Sequence, residues 1–176
     1  PNPKPISMDF NPAAQTYMQA NFDTQHYMPG VLADSRVFSR SRDEASSGDH
    51  SLALHAPMAD GDTLKIVGGD IARVELPGKG VHYSISIKTW LRQLNSGALV
   101  LHEQFLDKDG NVIMELPLGE VNKPEPGWTE HPFKGNTFRL GLVHSAAFMG
   151  LKVTLDSQTV DPVEGIAYLD DIEILF

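Results

Sequence analysis

Along much of this chain apolar and polar residues alternate with a period of two, the spacing of a strand with one face in a core and the other in water. The longest run is His82 to Arg92. It puts Tyr83, Ile85, Ile87, Thr89 and Leu91 on one face and His82, Ser84, Ser86, Lys88, Trp90 and Arg92 on the other. A slip of one residue would exchange these faces, so the register is strongly specified. Ser51 to Ala56, Ile71 to Leu76, Leu99 to Leu106, Val112 to Leu116, a strand starting at Gly127, Phe138 to Val143 and Leu151 to Leu155 repeat the pattern. Pro77-Gly78-Lys79-Gly80 reads as a turn, Asp107 to Asn111 as a hairpin and residues 117–126 as a loop. The stretch 32–45 reads as either a short amphipathic helix or a long loop, and residues 1–20 as a proline-rich linker before a single domain over 21–176.

The terminal stretch Ala167 to Phe176 predicts the last strand. Ile172, Ile174 and Phe176 share a face at period two, and the same parity puts Tyr168 and Asp170 on it. A carboxylate on the apolar face of a strand needs a partner, because an unpaired buried charge is costly. Two arrangements answer this: a calcium ion at the sandwich edge with Asp170 as a ligand, or a strand start with Asp170 and Asp171 both in water. Roughly eight to ten short strands, turns at short intervals and almost no helix together predict an all-β fold, an antiparallel β-sandwich (jelly roll) of two packed sheets.

Composition narrows the function. The 176 residues suffice for one core, and 41% hydrophobic with 21% charged residues is ordinary for a soluble globular protein. The formal net charge of −9 argues against a general nucleic-acid binder, and no apolar run approaches the ~20 residues of a membrane span. No cysteine is present, which excludes disulfides, thiolate metal sites and cysteine catalysis. No signal peptide is evident, so an excised module or a mature exported form is expected, as a monomer. Nucleophile elbows, zinc-protease, phosphate-loop and dinucleotide motifs are missing, and the seven histidines lack metal-ligand spacing.

Four landmarks occur in order: Asn21-Phe22-Asp23, Ser47-Gly48-Asp49-His50-Ser51-Leu52, the strand-turn-strand through Pro77-Gly78-Lys79 and Tyr83-Ser84-Ile85-Ser86, and Tyr168 to Ile174. With Gly127-Trp128-Thr129, this resembles the β-jelly-roll carbohydrate-binding modules appended to secreted polysaccharide-degrading enzymes. The resemblance covers about residues 21–176. It implies an extracellular, cell-surface or periplasmic location, an attached catalytic domain, and a structural calcium held by Asp23, Asp49 and Asp170. Those modules usually carry glutamate after the early phenylalanine, where this chain has Asp23. Calcium takes six to eight oxygens, mixing carboxylates with backbone carbonyls.

For such a module the polar face of the 82–92 strand is the richest candidate. A sugar presents C–H faces that pack on aromatic rings and hydroxyls that need fixed polar partners. Trp90 supplies the ring. His102, Gln104 and Thr154 supply hydrogen bonds if their strands neighbour that one. Lys88, Arg92, Arg139 and Lys152 add positive charge to the same inferred face, which points to an anionic polymer such as a uronate or a sulfated glycan. The bland alternatives are Trp90 in the core through a slipped strand, Trp128 as edge packing, and the cations as a solvated face. A rim site from His26, Tyr27, Phe38 and Phe148-Met149 is a further alternative. A small jelly-roll lyase is the enzymatic one, since Arg92, His102, Gln104 and Arg139 partly imitate a lyase set, although no tyrosine shares that face. A calcium-stabilised spacer without ligand is the third.

Overall fold

A computed structural model of the protein describes residues 6–8, 37–46, 50–56, 65–92, 97–157 and 165–176. Ten strands occur among them: β1 (Ile6–Met8), β2 (Ser39–Ser41), β3 (Ser51–His55), β4 (Lys65–Glu75), β5 (His82–Arg92), β6 (Leu99–Leu106), β7 (Val112–Val121), β8 (Thr129–Asn136), β9 (Phe148–Ser157) and β10 (Ile166–Leu175). The first sheet runs β2-β3-β10-β5-β8, with β1 also on β10; the second runs β4-β9-β6-β7. Every pairing is antiparallel. The all-β sandwich of two sheets is therefore as the alternation predicts. Ile6–Met8 lies inside the stretch expected as linker, yet it pairs with Ile172–Ile174 of β10.

The two inner faces close on one core. Tyr83, Ile85, Ile87 and Leu91 of β5 meet Leu99, Leu101 and Phe105 of β6 and Leu151, Val153 and Leu155 of β9. Burying one such side chain contributes about 1.5–3 kcal/mol. Truncating the fully buried Phe105 to alanine costs about 3–5 kcal/mol. The boundaries of β5 and β6 match the sequence reading, whereas β7 runs on to Val121 and so absorbs half of the expected 117–126 loop. Gly110 closes the β6–β7 hairpin at φ 82°, the left-handed conformation expected there.

Two local expectations fail. Residues 138–143 are not a strand: Arg139–His144 is a 3-10 helix. Leu142 is buried there but Phe138 is 53% exposed, so the period-two pattern does not describe their faces. The parity of β10 also breaks. Its register on β5 shifts between Asp170 and Glu173, and Asp171 takes φ 47°. Asp and Asn tolerate this left-handed conformation better than most residues. The extra residue of the bulge turns Ile172 and Ile174 into the core, whereas Tyr168 and Asp170 lie opposite Trp90 and Lys88 on the outer face.

Candidate functional site

On the outer face of the first sheet β5 alternates as the sequence predicts. Tyr83, Ile85, Ile87, Thr89 and Leu91 are buried, while Ser84, Ser86, Lys88, Trp90 and Arg92 are half-buried and His82 is exposed. Trp90 is thus outside the core, and the slipped-strand alternative falls. Its indole meets that of Trp128 edge-on, with centroids 6.2 Å apart and planes at 68°. The Arg92 guanidinium sits 5.2 Å from the Trp90 ring centroid, close enough for cation–π attraction, and its Nη1 donates to Glu44 Oε1 at 3.1 Å.

Trp128 is held there by the loop that precedes β8. The backbone N–H of Glu125 donates to Leu91 O at 2.8 Å, and Glu125 Oε1 accepts from Leu91 N at 2.9 Å and Thr89 Oγ1 at 2.8 Å. His131 Nε2 lies 3.3 Å from Glu125 Oε2. Burial disfavours the Glu125 charge, but the bonds from His131, Thr89 and Leu91 outweigh it and hold the carboxyl below its usual range. Glu125 carries no pattern signal in the sequence, because it acts from a loop upon a strand 34 residues earlier.

Farther along the same face Lys88 Nζ pairs with Asp171 Oδ2 at 3.2 Å. Asp170 is 0% exposed; Oδ2 accepts the Ser46 N–H and Oδ1 the Asp171 N–H, each at 2.9 Å. Two aspartates in water are therefore not what the strand start shows. A buried carboxylate tied to the chain near Ser46 is of the ligand type that a hard cation takes. Asp23 and Asp49, the other expected ligands, lie outside the described residues, among which no cluster of three or more metal-ligating side chains occurs.

The remaining expected site residues are elsewhere. β6 and β9 belong to the second sheet, so His102, Gln104 and Lys152 stand on the opposite outer face of the sandwich from Trp90, and the single groove inferred from the sequence is divided. These groups bond one another. Gln104 Nε2 donates to Glu115 Oε1 at 2.7 Å, Lys152 Nζ lies 3.4 Å from the same oxygen, and His102 Nε2 lies 3.2 Å from Thr154 Oγ1. The Gln104 amide holds the Glu115 carboxyl down, and burial lowers His102.

Arg139 is on neither face. From the 3-10 helix its Nη2 donates to Glu103 Oε1 at 2.7 Å and to the Tyr83 hydroxyl at 2.9 Å, and that hydroxyl donates to Glu103 Oε2 at 2.5 Å. Glu103 is an inward-facing carboxylate at 1% exposure, and Arg139 neutralises it. Burial, and then Glu103, push the Tyr83 hydroxyl far up. Gly135 makes room, since a Cβ there would come 2.4 Å from the Tyr83 oxygen. Arg92, His102, Gln104 and Arg139 consequently do not converge, and the lyase-like set dissolves. The rim alternative loses Phe38 and Met149, both core residues, while His26 and Tyr27 lie outside the described residues.

No protein-family model matches the chain, and no curated protein matches it. Solved structures do. The chain is similar to the CBM22-1 xylan-binding domain of Paenibacillus barcinonensis Xyn10C, at 13% identity and a TM-score of 0.56 over 99% of this chain and 95% of that one. It is also similar to the CBM22-1–CBM22-2 tandem domain of the same protein, at 14% identity and TM-score 0.55 over 99% of this chain and 45% of the tandem. Bacteriophage CBA120 tailspike protein 4 aligns at 16% identity and TM-score 0.49 over 80% of this chain, which spans only 18% of that chain. The expected resemblance holds at the level of architecture: this chain has the fold of a β-sandwich carbohydrate-binding module.

Proposed function

We propose that this chain is a noncatalytic polysaccharide-binding module whose ligand packs on Trp90 and Trp128. The observation that carries the reading is the pair of half-buried indoles, edge to face on the outward side of β5, with a guanidinium over one of them. Rings held in this way offer apolar area to sugar C–H faces without further ordering cost. The module would keep an attached catalytic domain of an exported enzyme near its substrate by raising the local concentration.

The ligand in this reading is uncharged. Each cation that suggested an anionic polymer already faces a carboxylate: Lys88 faces Asp171, Arg92 faces Glu44, Arg139 faces Glu103 and Lys152 faces Glu115. Among the described residues on the Trp90 face, Lys88 and Arg92 are each neutralised by a carboxylate, which weakens their pull on a uronate or sulfate. Affinity electrophoresis tests this. Xylan heads the panel because one similar structure is a xylan-binding domain; mannan, mixed-linkage glucan, alginate and a sulfated glycan complete it. Retardation by an uncharged polymer, insensitive to salt and lost in Trp90→Ala, is the expected result. Salt-sensitive retardation by alginate or the sulfated glycan alone would restore the anionic preference. Unsaturated product from alginate would make the protein a lyase, and no retardation by any polymer would leave a spacer domain.

Calcium at Asp170 belongs to the same reading, supported by a carboxylate that is fully buried on the outer face of the sheet and tied to the chain near Ser46. Such an ion would join β10 to the chain near Ser46 and stabilise the folded state by mass action. A chelator should lower the Tm of the wild-type protein and leave the Tm of Asp170→Asn unmoved. Equal chelator shifts in both proteins would remove Asp170 from the site.

A further inference from the structure

We infer that the polysaccharide runs lengthwise along β5 to a second ring site made by Phe138 and His82, so that the face takes the interior of an extended chain and not a chain end. This rests on the proposed carbohydrate-binding reading and gives it a length and a direction. His82 and Trp90 have the same outward parity on β5 and are eight residues apart, about 26 Å at the rise of a strand. That span accommodates several sugar rings in a row.

Phe138 is a large apolar residue at 53% exposure, and it is firmly held. Its ring lies 5.5 Å from that of His82, tilted by 48°. Its N–H donates to Asn136 Oδ1 at 3.0 Å. The neighbouring Thr137 is buried; its Oγ1 accepts the Val81 N–H, and its own N–H donates to Val81 O, both at 2.9 Å. Gly80, at φ 62°, lets the ring pack against the turn, since a Cβ there would come 2.6 Å from it. An exposed ring fixed by this many contacts outside the core is a preformed contact surface, because little entropy remains to be lost on binding.

Between the two ring pairs the face carries a depression toward the His82 end and the Lys88–Asp171 pair nearer Trp90. The depression, of about 250 Å³, has Ser84, Ser86, Lys134 and Glu173 as its polar lining, and Ile85, Pro132, Phe133 and Leu175 as its apolar lining. Leu175 is one of the exposed large hydrophobics and lies opposite Ser84. Short hydroxyls beside apolar patches match the alternation of hydroxyl edges and C–H faces along an extended β-linked chain.

Isothermal titration of the whole chain with xylo- and cello-oligosaccharides of two and six units tests the inference. The hexamer should bind at least about ten-fold tighter than the dimer. Phe138→Ala should weaken hexamer binding about ten-fold, the loss of one packed ring, and leave dimer binding at the Trp90 end unchanged. His82→Ala should move the hexamer in the same direction. If Phe138→Ala and His82→Ala leave hexamer affinity intact while Trp90→Ala abolishes it, the second ring site is wrong and the module reading stands. If the wild-type protein binds neither oligosaccharides nor any polysaccharide, both are overturned.

Discussion

Both outer faces of this sandwich carry polar strand residues, yet they offer a ligand different things. On the second sheet Gln104, Glu115 and Lys152 share one carboxylate oxygen, and His102 faces Thr154. A sugar arriving there would have to displace bonds already made, and an exchanged hydrogen bond yields little net free energy. On the first sheet Trp90, Trp128 and Phe138 keep apolar area in contact with water. Covering that area releases free energy at roughly 25 cal/mol per Å². Polar side chains at strand spacing are thus poor evidence for a binding face until their partners are known; half-exposed rings that other groups hold still are better evidence.

The largest expected effect falls on the ring. Trp90→Ala should weaken polysaccharide binding by about 3 kcal/mol, on the order of a hundred-fold, with a small change in Tm. Unfolding of that variant would transfer Trp90 from ligand contact to packing and erase the contrast between the faces. Next comes Arg139→Ala, which should destabilise the fold and leave binding intact. Breaking a buried ion pair typically costs 3–5 kcal/mol. The Arg139 side chain is 42% exposed and water replaces part of it, so about 2 kcal/mol is expected in urea unfolding. A loss of binding without a loss of stability would return Arg139 to the ligand.

A smaller effect is pH-dependent. The folded Glu125 carboxyl sits below its unfolded value, so its stabilising contribution is present above the ordinary carboxylate range of about 4.3 and fades as pH falls through the lowered folded value. Glu125→Gln should be about 1 kcal/mol less stable than wild type at neutral pH, with the gap closing below that range. A gap that persists in acid would mean that the loop is held by something other than this charge. The smallest effect sharpens the contrast from the other side. Lys152→Ala and His102→Ala should change polysaccharide affinity by less than about 0.5 kcal/mol, as exposed pairs commonly do. A larger loss in titration would give the second sheet a share in binding.

Much of this was legible in the sequence because a strand exposes its parity directly. The inward set of β5 and the outward Trp90 follow from period two alone, and so do the extents of β5 and β6. Parity failed where an extra residue entered the ladder: the bulge at Asp171 moved Tyr168 and Asp170 to the other face. It also failed at Phe138, where the alternating segment wound into a 3-10 helix. Neither event leaves a signature in hydrophobic spacing.

By itself the sequence determined the sandwich class and which side chains of a regular strand such as β5 meet the core, since alternation is a local property of extended backbone. Only the tertiary structure decided which strands share a sheet. That assignment set Trp90 beside Trp128 and sent His102, Gln104 and Lys152 to the far side. Strand pairing joins residues remote in the chain, and charge neutralisation between Arg139 and Glu103 or between Arg92 and Glu44 depends on it.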